Sequence, residues 1–289
     1  MRPLESKLPG VGTTIFTVMS RLAEEAGAIN LSQGFPDFQP PEGLLDLVNE
    51  HLRRGHNQYA PMAGIPALRE QIAAKIAALY GADVDPATEV TVTSGATEAL
   101  FCAIHAVVRP RDQVIVFDPA YDSYEPAATL AGAETLHIPL RPPDFLIDWD
   151  RLRATLSPRT RLVIINSPHN PTGSVLERED LDRLAEALRP YDCYVLSDEV
   201  YEHIIFDGAR HATVLAHEEL APRSFAVFSF GKTYHATGWK IGYCVAPAPL
   251  SEEFRRVHQF DTFATVTPLQ HALADFLSRG PEHHLGLAD

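Results

Sequence analysis

Arg161-Leu-Val-Ile-Ile-Asn166 is the stretch on which the fold turns, because its apolar side chains are consecutive instead of alternating. A strand with one wet face alternates apolar and polar residues, whereas an unbroken run of strand length suits a strand covered on both faces, near the centre of a parallel sheet. Working outward, similar runs recur at Glu89–Thr93, Gln113–Phe117, Glu134–Ile138, Cys193–Leu196, Phe225–Phe228 and Ile241–Val245. Between them lie segments of helical period at Ile65–Leu79, Thr97–Val107, Tyr124–Ala131 and Arg178–Leu188, with Leu250–Gln259 and Pro268–Leu277 following the last run. Strand and helix in alternation predict an α/β fold: a three-layer, mostly parallel sheet with helices on both faces. The last two strand runs are joined by a connection too short for a crossover helix, so one of them is expected to run antiparallel to the rest.

Residues 1–45 read differently. A helix around Phe16–Glu25 is followed by Asn30-Leu-Ser-Gln-Gly-Phe-Pro-Asp37, an extended Gly- and Pro-bearing stretch that suggests an arm and lid. The expected division is therefore an N-terminal arm with part of a small domain over 1–45 and a large domain over 46–289.

With 289 residues, 45% of them hydrophobic and 21% charged, the composition is that of an ordinary globular protein with one sizeable core. A formal charge of -14 argues against a nucleic-acid partner, which needs a basic face. The opening Met1-Arg-Pro-Leu-Glu-Ser-Lys7 lacks the apolar core of a signal peptide, and no run approaches the ~20 apolar residues of a membrane span, so a cytoplasmic protein without a membrane partner is expected. Cys102, Cys193 and Cys244 are odd in number and each sits within an apolar segment, which favours buried thiols over a disulfide framework. The 13 histidines show no HExxH or paired Cys/His spacing, and no metal is expected from the sequence.

Chemistry gathers where strands end. Thr93-Ser-Gly-Ala-Thr-Glu98 follows a strand and opens a helix, so the N–H groups of Gly95, Ala96 and Thr97 can converge on an anion; read alone, a capped helix start explains the same residues. In Asp118-Pro-Ala-Tyr-Asp-Ser-Tyr124, Tyr121 follows a strand end where a flat ring could stack on a ligand, or be an ordinary half-buried tyrosine. Asn166-Ser-Pro-His-Asn-Pro-Thr-Gly173 fixes an irregular loop at the carboxyl edge of the sheet, where open α/β sheets bind ligands. Ser197-Asp-Glu-Val-Tyr201 places Asp198 where a carboxylate is costly unless it meets a cation. Ser229-Phe-Gly-Lys-Thr-Tyr-His-Ala-Thr-Gly-Trp-Lys240 then supplies two amines.

These strings, in this order, resemble the class I/II aminotransferases, the fold-type-I pyridoxal phosphate enzymes, with the kynurenine and methionine branch most similar. The resemblance covers nearly the whole chain. It implies pyridoxal 5′-phosphate as cofactor, Lys232 as its Schiff-base lysine, Asp198 on the pyridine nitrogen, and Asn170 and Tyr201 on the phenolic oxygen. Tyr121 would stack on the ring, while Gly95, Ala96, Thr97, Ser229 and Lys240 would hold the phosphate. Many relatives carry arginine at the last position, and lysine keeps the charge without the bidentate fork. Tyr59, in Asn57-Gln-Tyr-Ala-Pro61, is similar to a tyrosine that reaches the neighbouring subunit's phosphate, implying a homodimer with shared active sites. Gly34 and Asn170 would face the substrate. The implied reaction passes an amino group from an L-amino acid of methionine, aromatic, kynurenine or glutamine type to a 2-oxo acid. Aromatic character near Phe16, Phe35, Tyr59 and Tyr124 leans toward a large apolar or sulfur-bearing donor. The alternatives are a cysteine-conjugate β-lyase and a truncated cofactor-binding protein with little activity. The pattern departs from the family at His284-Leu-Gly-Leu-Ala-Asp289, where relatives continue into a small domain carrying a carboxylate-binding arginine for which no motif remains here; the helix from Pro268 resembles the entry to that domain, and exposed apolar surface is expected where it would pack.

Overall fold

The protein is described here by a computed structural model covering residues 3–34 and 36–287, so Phe35 lies outside the described residues. Strands run over Val90–Thr93 (β1), Gln113–Asp118 (β2), Glu134–Pro139 (β3), Thr160–Asn166 (β4), Tyr194–Asp198 (β5), Ser224–Ser229 (β6) and Gly242–Val245 (β7). Every strand run anticipated from the sequence is present. The order β1-β7-β6-β5-β4-β2-β3 puts β4 in the interior, between β5 and β2. β7 pairs antiparallel with both β1 and β6, while the remaining pairs are parallel.

Helices span Ile15–Ala26 (α1), Glu42–Arg53 (α2), Pro66–Tyr80 (α3), Ala96–Val107 (α4), Tyr124–Leu130 (α5), Trp149–Thr155 (α6) and Arg178–Leu188 (α7). Phe230–Thr233 (α8), Ala248–Asp261 (α9), Thr267–Leu277 (α10) and Glu282–Leu285 (α11) complete them. α2 and α6 were not anticipated, and the connection carrying Lys232 contains the single turn of α8 where a loop was expected.

Strand side chains alternate between two cores. Val163, Ile165, Val195 and Phe228 pack with α3, α7 and α10 on one face; Leu162, Ile164, Leu196 and Val227 pack with α4, α5 and α9 on the other. The three-layer expectation therefore holds, and the apolar run of β4 is continuous because both of its faces are covered. α10 is part of this core, burying Leu269, Ala272 and Leu273 while packing on α2 and α3. α1 differs: it has a Thr14 N-cap and a left-handed Gly27 C-cap but buries none of its residues, and Ile15 and Leu22 stay exposed. Phe260, Val266 and Leu285 are likewise exposed near the other end of the chain. No helix among the described residues is long and apolar enough to cross a membrane.

Candidate active site

The parallel strands deliver their following loops to one edge. Register pairs Asn166 with Asp198, Asp198 with Val227, and Ser229 with Gly242, so the ends of β4, β5 and β6 and the start of β7 lie side by side. There they surround a cavity of about 660 Å³, a size suited to a cofactor with a small substrate. Its lining includes Gly95, Ala96, Thr97, Tyr121, Asn170, Asp198, Tyr201, Ser229, Lys232 and Lys240, and Gly34 closes it from the N-terminal segment. Thus all but one of the expected site residues meet. The exception is Tyr59, which is 87% exposed, rests edge-on against Phe263 and is not among the residues lining the cavity.

Asp198 is only 3% exposed. It accepts a 2.6 Å hydrogen bond from the Tyr124 hydroxyl and a long one, 3.4 Å, from Val200 N–H, but forms no ion pair among the described residues. Burial pushes its carboxyl up to about 6, against the opposing pull of the Tyr124 bond. Its hydrogen-bond partners are neutral and Lys232 acts on it only at longer range, so a cation held directly against this carboxylate would be stabilised. Asn166 steadies this end of the sheet: its amide donates to Asp198 O at 2.8 Å, and its side-chain oxygen accepts from Asn170 N–H at 2.7 Å. Tyr124 and Asn166 were not identified as site residues from the sequence. The spacing of Tyr124 three residues after Tyr121, and the polar end to the β4 run, are the signals that could have found them.

Lys232 sits on α8, its amine donating to Gly34 O at 2.7 Å and lying 5.2 Å from the Tyr201 ring centroid. Burial lowers its basicity and Lys240 adds to the effect, while Asp198 opposes both, so the amine gives up its proton more readily than an ordinary lysine does. The Tyr201 hydroxyl is pushed up to about 12 by burial and by Asp198, so it remains a donor. Tyr121 lies across the cavity, its hydroxyl 3.5 Å from Thr97 Oγ1.

The anion cradle is the start of α4. Gly95 takes a φ of 81° at the N-cap and no side chain caps the helix, which leaves N–H groups of the first turn directed at the cavity. A Cβ on Gly242 would stand 2.5 Å from Phe228 O and 3.1 Å from Ala96 N, so only glycine lets β7 pass so close beneath this turn. Lys240, in the left-handed region at φ 52°, brings its charge beside Gly95. Behind the cradle, Glu98 bonds His258 Nδ1 while His258 Nε2 bonds Met62 O at 2.9 Å, which ties α4 to α9 and uses both imidazole nitrogens. The Cys102 thiol beside them is therefore part of a closed network, and all the cysteines are buried and free, as expected. Glu199 is also structural: fully buried, it accepts from Ser197 Oγ and Val214 N–H and pairs with His211.

A pyridine ring carrying a phosphate and an aldehyde fits this donor set: a carboxylate lacking a cation, an uncapped helix start with Ser229 and Lys240, a stacking tyrosine, and an amine of lowered basicity. Comparison with known proteins points the same way. Residues 26–285 match the family described as aminotransferase class I and II. The chain is 56% identical to a methionine aminotransferase of Escherichia coli (strain K12), over 99% of this chain and 74% of that one. It is 33% identical to kynurenine–oxoglutarate transaminase 1 of Rattus norvegicus, over 96% and 69% respectively. The crystal structure of YbdL from Escherichia coli, identified with a methionine aminotransferase function, superposes with a TM-score of 0.96 at 55% identity, covering 99% of this chain and 75% of that one.

Proposed function

The chain belongs to the class I and II aminotransferases, pyridoxal 5′-phosphate enzymes, and from that membership we propose a ping-pong transfer of the amino group of an L-amino acid to a 2-oxo acid, centred on Lys232. The donor we propose is of methionine, aromatic, kynurenine or glutamine type, with methionine favoured by the name of the 56% identical Escherichia coli relative. When bound, the cofactor supplies an electron sink for the pair left on an α-carbon that loses its proton. Asp198 would keep the ring nitrogen protonated, meeting there the cation it lacks. Asn170 and the Tyr201 hydroxyl would hold the phenolic oxygen, Tyr121 the ring face, and Gly95, Ala96, Thr97, Ser229 and Lys240 the phosphate. Lys232 Nζ would hold the cofactor's aldehyde carbon and, once released from it, would serve as the base that moves the α-proton. The exposed position of Tyr59 supports a homodimer in which it reaches the cradle of a second copy, with residues 1–45 as arm over a large domain of 46–289.

One observation carries this reading: a buried carboxylate without a cation shares a cavity with an amine of depressed basicity. The test is an absorbance spectrum of the purified protein, borohydride reduction, and peptide mapping for a pyridoxyl group on Lys232. Amino exchange is then measured from methionine, kynurenine and glutamine to 2-oxo acids. Cofactor on Lys232 with exchange supports the proposal, whereas a colourless protein that takes up no cofactor overturns it. Ammonia and pyruvate released from a cysteine conjugate, without exchange, would replace transfer by β-elimination.

A further inference from the structure

Away from the cavity, where α2 meets α10, three imidazoles come together: His51, His56 and His271, each offering a ring nitrogen within 4.8 Å of the others. We propose that these three histidines form a binding site for one divalent transition-metal ion of the zinc class. The local chain explains how they meet. His51 lies in the last turn of α2, and Gly55, at φ 88°, follows the Arg54 C-cap. Gly55 N–H bonds Leu52 O at 3.3 Å and His56 N–H bonds His51 O at 3.2 Å, the paired closure that ends a helix by folding the next residue back over its last turn. His56 is thereby placed on His51, with their Nδ1 atoms 2.9 Å apart. His271 and Asp275, one turn apart on α10, face the same spot, and the His271 ring stacks on His56 at 4.0 Å between centroids.

Packing alone accounts for only part of this arrangement. His51, 3% exposed, pairs its Nε2 with Asp275 Oδ2 at 3.0 Å, and that contact is enough to fasten α2 to α10. His271 makes no hydrogen bond among the described residues, so helix fastening does not require an imidazole there. The His51–Asp275 contact is also the arrangement metal-binding histidines use: a carboxylate holds the N–H of one ring nitrogen, which leaves the other nitrogen's lone pair free to ligate. Here that atom is Nδ1, which accepts a hydrogen bond from His56 Nδ1 at 2.9 Å, a contact a metal ion would replace. Tetrahedral zinc with Zn–N bonds near ~2.0–2.1 Å needs nitrogens roughly 3.3 Å apart, so an ion would part the two Nδ1 atoms of His51 and His56, now 2.9 Å apart, by a few tenths of an ångström, while His271 already offers a nitrogen within 4.8 Å of both. His56 and His271 are half-buried, which leaves a way in and room for water as a fourth ligand. Since all three ligands are imidazoles, the zinc class is favoured over magnesium or calcium, which prefer oxygen ligands.

The test uses cofactor-loaded protein without an affinity tag, stripped with chelator and titrated with Zn2+ by calorimetry, with Co2+ as a coloured probe. One saturable Zn2+ per chain is expected, along with visible Co2+ bands of tetrahedral type. His271→Gln and His56→Gln each remove most of the affinity, and Asp275→Asn weakens it by about 10–100-fold. The more buried His51 is left in place so that folding is not at issue, and thermal melts confirm each variant is folded. Absence of saturable binding, or binding unchanged in the His56→Gln/His271→Gln pair, overturns the proposal. None of these readouts depends on amino transfer.

Discussion

Asp198 and Glu202 lie four residues apart on one turn of chain, both essentially buried, and they are held in opposite ways. Glu202 has its own cation: Lys75 of α3 reaches it directly, the Tyr80 hydroxyl donates to it, and Lys75 also donates to Tyr243 at 2.8 Å. Burial would raise its carboxyl, but the Lys75 charge prevails and holds it down to about 2. Asp198 has a hydroxyl and no ion pair among the described residues, the Lys232 charge acts on it only weakly, and burial keeps it up at about 6. The contrast separates a structural charge from a functional one. One carboxylate is neutralised by the fold itself, while the other is left for something the fold must bind.

The largest expected effect comes from emptying the functional side of this contrast. Lys232→Ala removes both tether and proton carrier, and amino exchange should fall by about 10^4-fold or more in steady-state assays while the protein still melts cooperatively. Exchange within tenfold of the parent would sink its assigned role. Asp198→Asn should cost about 10^2–10^4-fold in exchange, yet raise the thermal stability of the cofactor-free protein, because the uncompensated charge is gone. If both activity and stability dropped, Asp198 would be no different in kind from Glu202.

On the structural side, Lys75→Met strands Glu202 and should destabilise the protein by about 3–5 kcal/mol in urea titrations. Adding Glu202→Leu should recover most of that loss, since an apolar pair replaces an ion pair. pH sharpens the same contrast. The raised Asp198 carboxyl contributes stability below about pH 3.8 that is lost as pH rises through about 6, whereas Glu202 contributes stability above about pH 4.5 that is lost only as pH falls toward 2. Melting cofactor-free and cofactor-loaded protein between pH 4 and 7 should therefore show a gap that widens with pH, and a constant gap would contradict the proposed pairing of the cofactor with Asp198. The smallest effect expected is from Tyr124→Phe: about 1–3 kcal/mol less stability above pH 6, with the Asp198 titration moved further up.

The strands and the residues that meet at the cavity were legible in the sequence for one reason. Lys232, Asp198 and Asn170 each stand just beyond an apolar run, and such runs survive as pattern because both faces of the sheet are covered. α6 was missed because it buries only Leu152, leaving almost no period to read. In α2 the apolar spacing of Leu44 and Leu47 is continued by His51, a polar residue buried through a contact 224 positions away. Tyr124 and Gly242 escaped for a similar reason. The first matters through a carboxylate 74 residues on, the second through the approach of Ala96, and neither relation leaves a local trace. Tyr59 is the converse case: the place assigned to it lies on a second copy, and within one chain its ring meets only Phe263 edge-on and stays exposed.

The bond from Lys232 Nζ to Gly34 O joins the reactive amine to a carbonyl 198 positions earlier in the chain. An amine engaged in this way must give up that acceptor, and its extra proton, before it can attack a carbon. Breaking this contact is therefore an expected step of loading, one that alkaline solution or loosening of the contact with Gly34 should speed. Stopped-flow uptake of the coenzyme across a pH series would record it as a rate that climbs with pH and flattens once the amine is fully neutral.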